Sequence, residues 1–214
     1  MKRFTLSLAL LLTLALSSCK DLFQDYLEHQ ATIKKGSQGD GSQVGNLLQG
    51  RGFWKGDVVR LRITYMESTW FPCASNYYGE ITPIFKSGGI GEGGFLYNHQ
   101  DAGAVVGFTP AKEKGYFWVG TYCHNGNNPP KFTYAMKVKA GESFDVSIRK
   151  SSEDRKYYYR FRDNTGKDIF ITEENSGKEF VCYKLYFFLG GEGASKIVAP
   201  HDLHALIIFM EDEN

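Results

Sequence analysis

The chain has 214 residues, with 25 Lys and Arg against 24 Asp and Glu and an aromatic content of 15%. So even a balance leaves no net field to gather nucleic acid or an acidic membrane surface, which argues against both as partners. The length suits one sizeable domain with a true hydrophobic core.

The N-terminus has the parts of an export signal. Lys2 and Arg3 give a positive start, and Phe4 to Leu16 form an apolar run too short to span a bilayer. Ser17, Ser18 and Cys19 follow, and then charge begins. Leu16-Ser17-Ser18-Cys19 resembles the lipobox of bacterial lipoproteins. The resemblance implies cleavage before Cys19, diacylglycerol on its sulfur and acylation of its freed amine, several acyl chains being what stable anchoring needs. Lys20 stands where an inner-membrane retention aspartate would be, and scattered Asp21, Asp25 and Glu28 are similar to acidic export signals in lipoproteins of the Bacteroidota. These features place the chain in a bacterial envelope, on the outer membrane. Loss of residues 1–18 takes Lys2 and Arg3 away and leaves 23 basic residues against 24 acidic ones.

Residues 19–50 read as a tether. "DLFQDYLEHQ" suits two helical turns, and "KKGSQGDGSQVGN" has the glycine and polar content of a flexible linker. Residues 51–214 read as one domain. In "VVRLRITYM" Val59, Leu61, Ile63 and Tyr65 alternate with Arg60, Arg62 and Thr64. "KFTYAMKVK" puts Phe132, Tyr134, Met136 and Val138 on one face, "ESFDVSIRK" does so with Phe144, Val146 and Ile148, and "RKYYYRFRD" with Tyr157, Tyr159 and Phe161. Period two marks strands with one face in a core and one in water. Shorter candidates are "EITPIF", "GFLYN", "AVVGF", "YFWVGTY", "DIFITE", "CYKLYFFL" and "HALIIFM", separated by turn clusters such as "SGGIGEGG", "HNGNNPP" and "DNTGKD". In the last, Asn164 and Gly166 suit the positive φ of a hairpin turn. About ten strands with short turns predict an all-β fold, an antiparallel β-sandwich of jelly-roll-like form.

Three cysteines accompany Cys19. Cys182 lies in a strand-like run and reads as a small buried hydrophobe. Cys73 and Cys123 lie in polar, loop-like surroundings and are candidates for a disulfide outside the cytoplasm.

Two groups of residues suggest a binding surface. "STWFPCASNYYGE" and "GYFWVGTYCHNGNN" place Trp70, Tyr77, Tyr78 and Trp118 near Asn125, and aromatic faces beside a polar partner suit a glycan. The bland alternative is that these rings fill a loop-rich core. Arg60 and Arg62 share one strand face; Lys156, Arg160 and Arg162 share another, with Tyr158. Neighbouring strands would let them clamp an anionic sugar through bidentate guanidinium contacts, and otherwise they are a solvated sheet face.

The enzymatic alternative, a polysaccharide lyase or glycosidase, gathers Arg60, Arg62, Tyr158 and His201 in one cleft. It lacks paired acids at i, i+2, the Arg-x-Glu-x-Arg strand of jelly-roll lyases, a Gly-x-Ser-x-Gly elbow and a phosphate loop. His201 and His204 point to opposite faces of a strand, so no metal site and no cofactor is read here. A third alternative is a structural partner of an envelope complex that uses an open strand edge.

Overall fold

A computed structural model of the chain describes residues 30–38, 53–54, 57–72, 83–92, 102–125, 130–175, 182–185, 187–189 and 197–210. Cys19, Cys73, Tyr77, Tyr78, the "GFLYN" strand and all of the helical segment expected over residues 21–30 except Gln30 lie outside the described residues, and Gln30 opens a strand instead.

Twelve strands form among the described residues. They are β1 (Gln30–Ile33), β2 (Phe53–Trp54), β3 (Val58–Tyr65), β4 (Phe85–Glu92), β5 (Ala102–Pro110), β6 (Tyr116–His124), β7 (Lys131–Lys139), β8 (Ser143–Ser151), β9 (Lys156–Arg162), β10 (Asp168–Glu174), β11 (Cys182–Leu185) and β12 (Leu203–Met210). Sheet I has the order β1-β12-β3-β8-β9-β10 and sheet II the order β2-β11-β4-β5-β6-β7. Antiparallel pairing runs through both, so the all-β sandwich expected from the alternation is the fold. Two meanders build most of it, because each short turn returns the chain beside the strand it left.

The alternating apolar residues meet between the sheets. Val59, Leu61, Ile63, Tyr65, Phe144, Val146, Ile148, Tyr157, Tyr159 and Phe161 of sheet I pack on Phe85, Val106, Phe108, Phe117 and Val119 of sheet II, all buried. Tyr65 is central, with its ring 4.8 Å from Phe108 and 4.7 Å from Phe117. Its hydroxyl is satisfied by a hydrogen bond shared with Ser87, which lets a polar group sit in this core.

Four local readings are corrected. The tether expected over residues 19–50 ends sooner: Ala31 and Ile33 of β1 are buried in the core, and the compact unit begins at Ala31. "SGGIGEGG" was read as a turn, whereas its first six residues complete β4. At Gly89, with φ +145°, a Cβ would stand 2.2 Å from the Ala104 carbonyl oxygen, so the glycine serves close strand approach. On β7, Val119 pairs with Met136 and Gly120 with Tyr134, which bulges Ala135 out of the ladder. That extra residue reverses the phase, so Met136 and Val138 point inward while Tyr134 is 46% exposed. In the β9–β10 turn Gly166 has φ +85° and Asn164 does not take positive φ. Asp163 Oδ1 closes the turn by accepting from the Thr165 and Lys167 amides.

Candidate functional site

The period that buries one face of β3, β8 and β9 sends their polar residues to the other, and register then sets which side chains meet. Arg60 lies opposite Ser147, and Ser147 opposite Arg160. Met210 and Phe170 extend this row at its two ends. Two residues along the strands a second row runs Ile208, Arg62, Asp145, Arg162 and Asp168. These two rows together place four guanidiniums and two carboxylates on the solvent face of sheet I.

The second row is closed by its own acids. Arg62 donates to Asp145 with both arms of its fork, Nε to Oδ1 at 2.7 Å and Nη2 to Oδ2 at 3.0 Å. Arg162 grips Asp168 in the same way at 2.9 and 3.2 Å, and Arg160 adds an Nη2 bond to Oδ2 at 2.8 Å. Hydrogen bonds from Arg160 and then Arg162 hold the Asp168 carboxyl down to about 2. Between the two rows a cleft of about 150 Å³ opens, lined by Arg60, Ser147, Arg160 and Met210 of the first and by Asp145 and Arg162 of the second. A wider depression of about 320 Å³ adjoins it along Arg62, Ser143, Arg162 and Asn164.

The two basic strands are not the neighbours that a clamp was expected to need, because β8 separates β3 from β9; they still make one arginine face, on which Arg60 and Arg62 share the solvent with Arg160 and Arg162. The residues that make it a site were not singled out from sequence. Ser147, Asp145 and Asp168 sit between or beside the arginines, and only the register reveals it.

The enzymatic grouping of Arg60, Arg62, Tyr158 and His201 does not converge. Tyr158 shares the face, but Arg149 lies 4.3 Å over its ring and its hydroxyl donates to Asp154, away from the residues that line the cleft. β12 runs antiparallel to β3 with Met210 beside Arg60 and Ala205 beside Tyr65. Those five ladder steps span about 17 Å, and His201 lies beyond Ala205, bonded through Nε2 to the Ser68 carbonyl at 2.8 Å. Asp202 accepts from Lys34 Nζ and the Lys35 amide, and His204 Nδ1 meets Thr32 Oγ1 at 3.0 Å.

The described members of the aromatic group also stay apart. Trp70 packs against the core and donates its indole N–H to the Ala111 carbonyl at 2.9 Å. Trp118 faces the other way, off sheet II. The Tyr134 ring meets it edge-on at 5.3 Å, and Lys137 Nζ, paired with Glu113, sits 5.4 Å over it. Asn125 follows seven residues later, about 23 Å along an extended strand. Period two in one strand separates what sequence proximity had joined.

A buried polar cluster lies on the face of sheet II turned away from the core. Lys86 is 5% exposed and His124 6% exposed. Lys86 Nζ stands 5.9 Å from the Tyr122 ring, and that ring meets His124 edge-on at 5.1 Å. Burial holds the Lys86 ammonium down to about 8; burial and then the Lys86 charge hold His124 down to about 4. Cys123 points the opposite way, into the core, with Sγ 3.0 Å from the Tyr159 hydroxyl, while its expected disulfide partner Cys73 lies outside the described residues. Burial and then Cys123 push the Tyr159 hydroxyl well above its ordinary value.

No protein-family model and no curated protein matches the chain. Among solved structures it is similar to the Ruminococcus gnavus IT-sialidase CBM40 bound to alpha2,6 sialyllactose, at 15% identity over 86% of this chain and 93% of that one, with a TM-score of 0.41. It is also similar to scytalido-glutamic peptidase with a transition state analog inhibitor, at 10% identity, 86% and 77% coverage and a TM-score of 0.40. A legume lectin-like domain from Entamoeba histolytica aligns at 11% identity, 87% and 92% coverage and a TM-score of 0.34.

Proposed function

We propose that this chain is a lipid-anchored binding module of a bacterial cell envelope whose ligand is a glycan, held on the arginine face of sheet I. The observation that carries the reading is the first row, where Arg60, Ser147 and Arg160 border an open cleft. A side-chain surface rich in guanidinium donors and flanked by apolar groups suits an oxygen-rich, amphipathic ligand. Cys19, the last residue of Leu16-Ser17-Ser18-Cys19, is the anchor in this reading, and the outer membrane is the location.

A glycan array probed with the chain, beside an Arg160→Ala and Arg162→Ala double variant, tests the ligand. Binding that the double variant loses while keeping the fold supports the reading. Absence of binding to neutral, carboxylated and sulfated glycans alike sinks it. Cys19→Ser tests the anchor: it is expected to leave the membrane fraction after alkaline washing, and full retention there rejects lipidation at Cys19.

A further inference from the structure

Resting on the glycan reading above, we infer that the ligand is a carboxylate-bearing saccharide whose carboxylate seats over Ser147, between Arg60 and Arg160. The two rows of sheet I each set a β8 residue between two arginines and differ there, as they do at their ends, where Ile208 and Asp168 of one row stand against Met210 and Phe170 of the other. In one row Asp145 stands between Arg62 and Arg162; in the other Ser147 stands between Arg60 and Arg160. The positions are two residues apart on one face, a step of about 7 Å. Ser147 thus occupies the place of a carboxylate without supplying one.

The neighbouring row shows the geometry such a group would adopt. Asp145 meets the Arg62 fork with both oxygens, at 2.7 and 3.0 Å. At Ser147 the side chain is shorter and uncharged, and the cleft of about 150 Å³ lies there. Arg160 spends one Nη2 on Asp168, and that single carboxylate is shared with Arg162. Two cations against one anion leave a positive charge on this trio, and a guanidinium has five donors to give. A planar carboxylate matches that fork.

The ends of the row identify the rest of the ligand. Phe170, beside Arg160, is 72% exposed, and Met210 lies beside Arg60. An exposed ring two strands from the carboxylate seat, about 10 Å away at the usual strand spacing, suits the C–H face of a sugar acid. A peptide fits poorly: β3, β8 and β9 each have a neighbour on both sides, so the middle of this face offers no backbone donors or acceptors to pair with a main chain.

The test uses the full chain on oligosaccharides that contain hexuronate, on their methyl esters, and on sulfated and neutral oligosaccharides of the same backbone. Methyl esterification is expected to weaken binding at least about tenfold, the effect of losing a charge-assisted contact. Ser147→Asp puts a carboxylate of the protein into the seat and is expected to abolish binding without lowering the melting temperature. Ser147→Ala should stay within about twofold, and Phe170→Ala should weaken binding several-fold.

If methyl esters bind as well as the acids, or folded Ser147→Asp binds like the parent, the carboxylate seat is wrong and the glycan reading stands. Stronger binding of sulfated backbones than of uronates likewise overturns it. Should the chain bind no saccharide but capture acidic peptides, both readings fall. The ester comparison needs no variant, so it decides the matter even if Ser147→Asp fails to fold.

Discussion

Asp145 and Ser147 face the same solvent from adjacent outward positions on β8, one closed onto Arg62 and the other open between Arg60 and Arg160. Asp145→Ser would give the second row the same β8 residue as the first and release the Arg62 fork, while Arg162 stays on Asp168. The pair it removes is half exposed and screened, so the expected loss is at most about 1 kcal/mol. Binding of an oligouronate should strengthen about threefold or more as a second seat opens. Urea denaturation and titration of the variant measure the two effects, and weaker binding would show that Asp145 itself contacts the ligand.

Tyr65 and Ser87 share a hydrogen bond inside the core. Tyr65→Phe strands the Ser87 hydroxyl in apolar surroundings and is expected to cost about 1–2 kcal/mol. Once Tyr65 is Phe, Ser87→Ala should cost little, because it removes the stranded group. A double-mutant cycle by urea unfolding should return a coupling of about 1 kcal/mol. Additive costs would mean that water already serves the hydroxyls.

The faces of β3, β8 and β9 were legible because their alternation is strict: each strand has core on one side and water on the other, and Val59 and Phe161 take the core side. What period two cannot tell is which strands become neighbours. "VVRLRITY" and "ESFDVSIRK" lie far apart in sequence, and nothing local says that Arg60 will face Ser147. The two basic faces were therefore readable, and the serine that register sets between them was not. β7 was misread for a different reason. Ala135 carries no signal of a bulge, and the register slip there answers to Gly120 on the next strand. "SGGIGE" misled because glycine serves turns and close strand approach equally, and only the Ala104 carbonyl against Gly89 separates the two.

Gly120 is expected to tolerate no side chain. A Cβ there would stand 2.0 Å from the Thr133 carbonyl oxygen, which belongs to backbone and cannot swing aside. Gly120→Ala should cost about 3 kcal/mol or more, at or above the upper range for overpacking. Gly115→Ala is the control: its φ of +78° is strained for alanine but nothing crowds the site, so about 1 kcal/mol is expected. Equal losses in thermal unfolding would mean that β6 and β7 can part at the bulge.

His124 should set an acid limit to stability. Its folded value lies near 4, below the ordinary 6.5, because burial and the Lys86 charge disfavour the imidazolium. Between those values the unfolded chain binds a proton at this site and the folded chain does not. Stability therefore rises with pH across the window, is unaffected by His124 above 6.5, and falls as the pH drops from 6.5 to 4. The full effect is roughly 3 kcal/mol, from the size of the shift. His124→Asn has no proton to bind and should lose that much less than the parent between pH 7 and 4. Asp168, held near 2 by Arg160 and Arg162, acts below its ordinary 3.8 and so leaves most of this window to His124. Urea midpoints of both proteins at pH 7, 5.5 and 4 separate the contributions, and parallel declines would place the protonated imidazole in contact with water.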